Sequence, residues 1–275
     1  MKLSELGELG LLAELERRGL IVGVSNDAAQ LNGDLVATQD ALIEDVHFRL
    51  DWLTWRDLGW RAAAVNLSDL AASGAEPEAL LVTLAVPPAT AVADVIAFYE
   101  GLAEAGVPVV GGDTTSSVLV AISVTALGRS PRVPGRDGAR PGDLLVVTGP
   151  LGAAGAAFRR GEYVRPPVRI DEGRKLGATA HALIDVSDGL AVDAAHIATR
   201  SGVRCVLELD RVPLGEGATH ADLGFGEDFE LLAAVAEPHG LAVVGRVEEG
   251  AGVLLLLRGE PGTLPGWEHF RSAGR

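Results

Sequence analysis

Six aspartates stand at or near the ends of apolar segments of the chain. Two of them, Asp185 and Asp188, lie three positions apart in IDVSDGL, with Ser187 between them. Each aspartate alone is typical of a helix cap or a turn. In a protein of net charge −15, however, six converging carboxylates would repel one another unless cations bound between them. The full set is Asp27, Asp40, Asp69, Asp113, Asp185 and Asp188.

The ligand types in this set favour magnesium. Carboxylate oxygens, together with phosphate oxygens, are the usual ligands of Mg²⁺ in proteins. The sequence has no His or Cys spacing typical of a zinc site. The alternatives are therefore separate caps and turns, or one site that holds several Mg²⁺ ions, and the joint pattern favours the second.

A glycine pair precedes Asp113 in VVGGDTTSS, where a predicted strand ends. Glycine lets the backbone approach a ligand closely, and the N–H groups of such a segment can hold phosphate. Arg136, in RDGARPGD, is equally consistent with a turn residue and with a phosphate contact. The sequence contains neither GxxxxGK[ST] nor GxGxxG nor GxSxG, so the common nucleotide loops and the hydrolase elbow are excluded.

Composition and charge narrow the classes of partner. The 275 residues include 23 basic and 38 acidic ones, which argues against nucleic acid as a partner because phosphate contacts need clustered Lys and Arg. Cys205 is the sole cysteine, so no intrachain disulfide forms, and its apolar setting predicts a core thiol. No apolar run reaches the roughly 18 residues of a membrane span. We expect a cytoplasmic protein without a membrane partner.

Hydrophobic periodicity predicts alternating helices and strands in the first half. An N-terminal helix is expected to begin at Ser4 and end at Gly19. LIVGV and LVATQDALI are predicted to form a hairpin with Asn32 and Gly33 in its turn. Helices are expected over 55–73 and 90–105, and strands at ALLVTLAVP, VPVVGGD and VLVAISVTALG.

A segment rich in Pro, Gly and Arg, residues 129–143, is the predicted domain boundary. Beyond it, LLVVTG predicts a strand, a Gly/Ala segment predicts a helix, and a second helix is expected from Asp188 onward. Four strand-like runs follow: VRCVLELD, FELLAAVA, LAVVGRV and GVLLLLRG. The expected fold is α/β, of the α+β type, with domains at 1–135 and 136–275.

The order of the motifs resembles a known family. DALIEDVHF, AVNLSDLAASGA, VVGGDTT, RDGARPGDLLVVTG, IDVSDGLAVDAAHIA and GEDFELL occur in sequence over nearly the whole chain. This series closely resembles the thiamine-monophosphate kinases, members of the aminoimidazole ribonucleotide synthetase-like superfamily. The resemblance implies an N-terminal α/β domain whose sheet pairs across a homodimer, and a C-terminal α/β domain packed on it. It also implies ATP-dependent phosphorylation of thiamine monophosphate to thiamine diphosphate.

The resemblance also assigns three sets of site residues by matching motifs. The implied metal ligands are Asp27, Thr38, Gln39, Asp40, Asp69, Asp113, Asp185 and Asp188. The implied ATP contacts are Gly112, Asp113, Arg136 and Ser187. The implied substrate contacts are His47, Glu227 and Trp267, for which a structural hydrogen bond (His47) and an anchor for the chain end (Trp267) are the alternatives.

The chain departs from the family pattern at a few positions. Asn26 stands where the family usually has a second aspartate beside Asp27, Gln39 replaces a usual Thr or Ser, and Ser116 follows GGDTT where Arg is common. These changes bear on metal number and rate more than on reaction type. A purine-synthesis relative and a degenerate, non-catalytic nucleotide-binding dimer are the alternatives, and ATP consumption with thiamine monophosphate or aminoimidazole precursors would distinguish them.

Overall fold

One long helix, α3 (Trp55–Ala72), lies at the centre of the molecule, with most of its residues buried. The structure, a computed structural model, describes residues 2–22 and 26–267. A capping box starts α3: Thr54 Oγ1 accepts a hydrogen bond from Asp57 N at 3.1 Å, and the Asp57 carboxylate accepts one from Thr54 N at 3.4 Å. The helix ends before Gly74, whose φ of +64° suits glycine.

The remaining helices flank α3 and the two sheets. Helix α4 packs against α3 at two glycines, because a Cβ on Gly59 would lie 1.9 Å from the Phe98 carbonyl oxygen and one on Gly101 would lie 1.9 Å from that of Arg56. In the described residues the other helices are α1 (Leu3–Leu6), α2 (Glu8–Arg17), α4 (Val92–Ala103), α5 (Ala153–Arg159), α6 (Ile170–Thr179) and α7 (Leu190–Ser201), with two short 3₁₀ segments at Leu209–Arg211 and His220–Gly224.

The N-terminal sheet has five strands in the order β1-β2-β5-β3-β4. Its pairs are antiparallel except for β3 and β4, which are parallel and joined through α4. Helices α3 and α4 cover one face, where alternate apolar side chains of the strands are buried. The strands are β1 (Ala29–Gln30), β2 (Leu35–Ile43), β3 (Glu76–Val86), β4 (Val109–Ser116) and β5 (Ala121–Arg129).

The C-terminal sheet has seven strands in the order β12-β11-β8-β10-β6-β9-β7. Helix α7 packs on one face, and α6 with the end of α3 packs on the other. The strands are β6 (Leu144–Val147), β7 (Ala182–Asp185), β8 (Arg204–Glu208), β9 (Leu231–Val235), β10 (Ala242–Glu248), β11 (Gly252–Leu257) and β12 (Glu260–Pro261).

The two halves meet where α3 crosses α6. A Cβ on Gly173 would lie 2.3 Å from the carbonyl oxygen of Ala71, and one on Gly177 would lie 2.8 Å from the Cα of Gly74. Backbone thus touches backbone at this crossing. The segment between β5 and β6 contains no helix or strand, which agrees with the predicted linker at 129–143, although the boundary between 135 and 136 stays a prediction.

Three local predictions were wrong. Ser4 does not cap the first helix: Lys2 precedes α1, and Gly7, with φ +75°, separates α1 from α2. The hairpin partner of β2 is β1, because residues 20–22 form no strand, while residues 23–25 lie outside the described part. Helix α7 begins at Leu190 because the preceding Gly189 has a non-helical φ of +113°.

The other predicted elements are confirmed within a few residues, whereas α6, β7, β12 and the two 3₁₀ segments, like β1, were not foreseen. The predicted α/β fold in two domains is confirmed. Among residues 2–22 and 26–267, no helix has the length and apolar character needed to cross a membrane.

Candidate active site

Three of the predicted aspartates meet at the junction of the two halves. One carboxylate oxygen each from Asp27, Asp69 and Asp185 lies within 4.8 Å of the others. Asp69 comes from α3, Asp185 ends β7, and Asp27 precedes β1. We call these three residues the carboxylate cluster, and its geometry suits a divalent cation with oxygen ligands.

Strand β2 adds two side chains at the edge of the carboxylate cluster. Thr38 Oγ1 donates to Asp69 Oδ2 and lies 3.1 Å from the carbonyl oxygen of Asp27. Asp40 lies near enough to Asp69 for its charge to act on that carboxylate. The buried Asn66 of α3 fixes this part of β2, because its Oδ1 accepts a hydrogen bond from Asp40 N at 3.0 Å.

A hydrogen bond between the two halves holds Asp185 in place. Ser68, which precedes Asp69 in α3, donates from Oγ to Asp185 Oδ2 at 2.7 Å. Both side chains are buried. Helix α3 therefore supplies one member of the carboxylate cluster and positions another across the domain junction.

The electrostatics of the carboxylate cluster favour a bound cation. Burial raises the pKa of Asp69 well above its usual value, and the charges of Asp40, Asp185 and Asp27 raise that pKa further. Burial is also the main cause that raises the pKa of Asp185, followed by the charge of Asp27. Buried carboxylates that resist ionisation become stable as anions when positive charge is supplied.

Arg136 is the cation that the chain itself places beside the carboxylate cluster. Its Nη2 lies 2.6 Å from Asp27 Oδ1, and its side chain is about one-fifth exposed. The side chain of Asn26 does not face away from this region, since its Oδ1 accepts a hydrogen bond from Arg136 N at 3.2 Å. Asn26 therefore helps to hold the segment that carries Arg136, and an aspartate at this position could accept the same hydrogen bond.

The loop after β7 places Ser187 and Asp188 at the cleft. Asp193, buried in α7, accepts hydrogen bonds from Asp188 N at 3.2 Å and Gly189 N at 3.0 Å. The Ser187 carbonyl oxygen accepts a hydrogen bond from Glu227 N at 2.8 Å. This loop and the GEDFE segment are thus tied together.

The predicted substrate contacts border the same cleft. His47 accepts a hydrogen bond at Nδ1 from Ile43 N at 3.1 Å. It therefore makes the structural hydrogen bond that was the alternative to a substrate contact. Glu227 forms an ion pair with Arg61, 2.7 Å from Nη2 to Oε2. Trp267 donates from its backbone N to Asp188 O at 3.1 Å.

The cleft has a volume of about 620 Å³, which is typical of a small-molecule site. It brings together twelve of the fourteen residues that the sequence singled out. These are Asp27, Thr38, Gln39, Asp40, His47, Asp69, Arg136, Asp185, Ser187, Asp188, Glu227 and Trp267.

Gln39 borders the cleft, but its side-chain amide does not join the carboxylate cluster. Its Nε2 donates to Ser123 Oγ at 3.0 Å, and its Oε1 accepts from Thr125 Oγ1 at 3.1 Å. Because side chains alternate along a strand, Gln39 points to the sheet face opposite Thr38 and Asp40. Its assignment as a metal ligand stays a prediction that this geometry does not support.

Gly112 and Asp113 lie apart from the cleft, on the exposed edge strand β4. A Cβ on Gly112 would lie 1.9 Å from the Val82 carbonyl oxygen, and its φ is +140°, so close pairing with β3 already requires glycine there. Asp113 Oδ1 accepts a hydrogen bond from Thr114 N at 2.9 Å. Within one chain, neither residue reaches the carboxylate cluster.

Three residues that contribute to the site were not identified from the sequence: Arg61, Asn66 and Ser68. All three lie on α3, and one available signal was their spacing, because Ser68 and Asp69 follow Arg61 by about two helical turns on a predicted helix.

Comparisons with known proteins identify the class first. Family models described as AIR synthase related protein match both halves, the N-terminal domain at residues 25–130 and the C-terminal domain at 140–254. Fold and cleft therefore define an AIR synthase-related protein of two domains.

Closer relatives refine this class. The chain is 34% identical to thiamine-monophosphate kinase of Aquifex aeolicus, over 98% of this chain and 100% of that one. It is 35% identical to thiamine-monophosphate kinase of Mycobacterium tuberculosis, over 98% and 93%. The solved structure of AaThiL complexed with AMPPCP and TMP matches with a TM-score of 0.89 and 33% identity, over 98% and 99%. The chain belongs to the thiamine-monophosphate kinase family.

Proposed function

We propose that the protein transfers the γ-phosphoryl group of ATP to thiamine monophosphate, forming thiamine diphosphate and ADP. The observation that carries this proposal is the carboxylate cluster of Asp27, Asp69 and Asp185 in a chain of this family. The relative complexed with AMPPCP and TMP supports the choice of both substrates. We expect the reaction in the cytoplasm, without nucleic acid or membrane as a partner.

Several Mg²⁺ ions fit the donor set of the cleft. The oxygens of Asp27, Asp69 and Asp185 are the primary ligands in this proposal, and Thr38, Asp40 and Asp188 complete the set from the same cleft. The raised pKa values of Asp69 and Asp185 support this fit, because both carboxylates are destabilised as anions until a cation is near. When bound, Mg²⁺ would screen the phosphate charges of both substrates.

The chain's own residues bind and orient the two substrates. In this proposal Arg136, which pairs with Asp27 at the edge of the carboxylate cluster, contacts the phosphates of ATP together with Ser187 of the adjoining loop. The attacking oxygen belongs to the phosphate of thiamine monophosphate, which is already ionised at neutral pH. No general base is then required, and direct in-line transfer depends on position and charge stabilisation.

The thiamine moiety is assigned to the side of the cleft that contains His47, Glu227 and Trp267. The thiazolium ring is cationic and flat, so the indole of Trp267 can stack on it. Glu227, whose charge is paired with Arg61, supplies carboxylate oxygens as hydrogen-bond acceptors at the same side. Binding at one end thus leaves the phosphate end directed toward the carboxylate cluster.

Turnover with different acceptors tests this proposal. The protein with MgATP should form thiamine diphosphate and ADP from thiamine monophosphate, measured by chromatography of the products. Free thiamine should be a poor acceptor because it lacks the ionised phosphate nucleophile, and aminoimidazole precursors should not stimulate ATP consumption. Phosphorylation of thiamine at least as fast as that of its monophosphate would contradict the assignment.

We also propose a two-fold homodimer formed through the N-terminal sheet. The face of this sheet opposite α3 and α4 is only partly buried, and the open edge strand β4 is almost wholly exposed. Ile43, Leu81 and Val110 are 39%, 38% and 62% exposed on these strands. Such edges and apolar faces favour association. A second copy could supply the Gly112–Asp113 segment that one chain keeps away from its own cleft.

Sedimentation and light scattering test the dimer. We expect a dimer at micromolar concentration, and Val110→Lys should shift it toward monomer and lower turnover, because a charge would be buried in the interface. Val92→Lys is the matched control, since Val92 is 75% exposed at the start of α4, on the opposite side of the sheet. A fully active wild-type monomer would refute the proposal.

A further inference from the structure

Arg136 lies in the segment between β5 and β6, which contains no helix or strand. The backbone groups of such a segment need partners from elsewhere, because an N–H or C=O group that is unpaired and away from water is unfavourable. At Arg136 and Ala139 these partners are side chains. The position of Arg136 therefore depends on which side chains hold its backbone.

Ser201, the last residue of α7, bonds this segment at two points. Its Oγ donates to the carbonyl oxygen of Arg136 at 2.9 Å, and the same Oγ accepts a hydrogen bond from Ala139 N at 3.1 Å. One hydroxyl can make both bonds, because it has one donor and two acceptor lone pairs. It thereby closes the bend over residues 136–139.

The end of α7 holds Ser201 in place. The helix ends at Gly202, whose φ of +65° suits glycine and whose N–H donates to the carbonyl oxygen of Ala198. Val203 N donates to the same carbonyl oxygen at 3.0 Å. Because Ala198 is buried in the core beneath α7, the hydroxyl of Ser201 is anchored to the C-terminal half.

The N-terminal half holds Arg136 from the other side. Asn26 Oδ1 accepts a hydrogen bond from Arg136 N at 3.2 Å, and Asp27 Oδ1 lies 2.6 Å from Arg136 Nη2. The two polar groups of the Arg136 backbone are thus bonded to opposite halves, the N–H to Asn26 and the C=O to Ser201. Removing either bond frees this residue on one side.

We propose that Ser201 is a positioning residue for Arg136. Its hydroxyl holds the backbone of residues 136–139 so that the guanidinium meets the nucleotide phosphates at the edge of the carboxylate cluster. Ser201 does not border the cleft, so it acts through Arg136 and touches no substrate. This inference rests on the proposed function, in which Arg136 contacts ATP, and adds the residue that sets its position.

The chemistry of the contact makes position important. Hydrogen bonds between arginine and phosphate are short and directional, and a displacement of about 1 Å can have a large effect on binding and rate. Loss of the Ser201 hydroxyl should therefore act on the nucleotide and spare the other substrate, whose implied contacts lie on other segments.

Calorimetric binding of MgADP and of thiamine monophosphate tests the inference. Ser201→Ala should weaken binding of MgADP by at least about fivefold and leave binding of thiamine monophosphate within about twofold. In turnover assays, KM for MgATP should rise by a larger factor than kcat falls. Ser201→Thr keeps a hydroxyl that can donate and accept, and it should recover most of the affinity for MgADP.

A double-mutant cycle separates positioning from a general structural role. Arg136→Gln removes the guanidinium, so the Ser201 hydroxyl has nothing left to position. Adding Ser201→Ala to this variant should change its affinity for MgADP by less than about twofold, because two residues that act through one contact are not additive. A further fivefold loss in the double variant would overturn the proposal.

Ser130→Ala is the matched control, because Ser130 lies in the same segment and its Oγ also donates to a backbone carbonyl oxygen, that of Arg132, at 2.7 Å. It should bind MgADP as the wild type does. Normal MgADP binding by Ser201→Ala, or equal weakening in both alanine variants, would refute the positioning role. Absence of turnover by the wild type would refute the proposed function instead, and the MgADP comparison does not depend on turnover, so the two failures are distinguishable.

Discussion

Replacing Asp69 with asparagine is expected to lower the turnover of thiamine monophosphate by at least about tenfold, because it removes one charge from the proposed binding site of the ATP-bound Mg²⁺. Asparagine keeps an oxygen that can accept the hydrogen bond from Thr38, so the local contacts survive. Asp40→Asn should have a similar effect on turnover. Initial rates at saturating MgATP measure both variants.

Although Asp69→Asn should turn over more slowly, its thermal stability without metal should not fall. A carboxylate whose pKa is raised in the folded state favours folding most when protonated, and this contribution is lost as the pH rises from its usual pKa through the raised one. At neutral pH without metal, the variant should therefore unfold at the same temperature as the wild type or higher.

Asp171→Asn is the control, since Asp171 is exposed in the first turn of α6. It should match the wild type in rate. Near-normal turnover of both Asp69→Asn and Asp40→Asn would mean that these residues serve as local caps and turns. Loss of folding in either variant would mean that their role is structural.

Replacing Gly173 with valine is expected to reduce the free energy of unfolding by about 3 kcal/mol, toward the upper end of overpacking effects. A Cβ at Gly173 would already lie 2.3 Å from the Ala71 carbonyl oxygen, so α6 and α3 must separate. Since α3 carries both Asp69 and the Ser68 that bonds Asp185, turnover should fall as well. Denaturant unfolding and initial rates measure the two effects.

Gly262→Val provides the comparison for Gly173→Val. A Cβ on Gly262 has nothing nearer than a Leu257 side-chain atom at 3.9 Å, and its φ is not in the left-handed region. This variant should retain both stability and rate. Equal stability of the two valine variants would show that the α3–α6 crossing adjusts without cost.

The order of helices and strands was predictable because hydrophobic periodicity is a local property. The prediction of a strand at LIVGV was wrong because a short apolar run fits the strand pattern wherever it occurs. The residues that pair with β2 are Ala29 and Gln30. The two-residue strand β1 is too short to produce a pattern of its own. Its position follows from the turn at Asn32 and Gly33, which was predicted.

The acidic members of the site were predictable from residue type and motif, whereas their partners were not. Ser68 and Asp185 are separated by 117 positions, and Arg61 and Glu227 by 166. No pattern within one segment indicates which distant residues will meet. Gln39 shows the reverse case, because the alternation of side chains along β2 already indicated that it faces away from Thr38 and Asp40.

Helix α3 also sets the distance between two parts of the cleft. Arg61 and Asp69 are eight residues apart on it, a separation of about 12 Å along a helix that rises roughly 1.5 Å per residue. In the proposed binding mode the thiamine end lies near Glu227, which Arg61 holds, and the phosphate lies near Asp69, so an acceptor must span this length. Phosphate esters with a much shorter bridge between ring and phosphate would reach one end or the other, and we expect them to be poor acceptors.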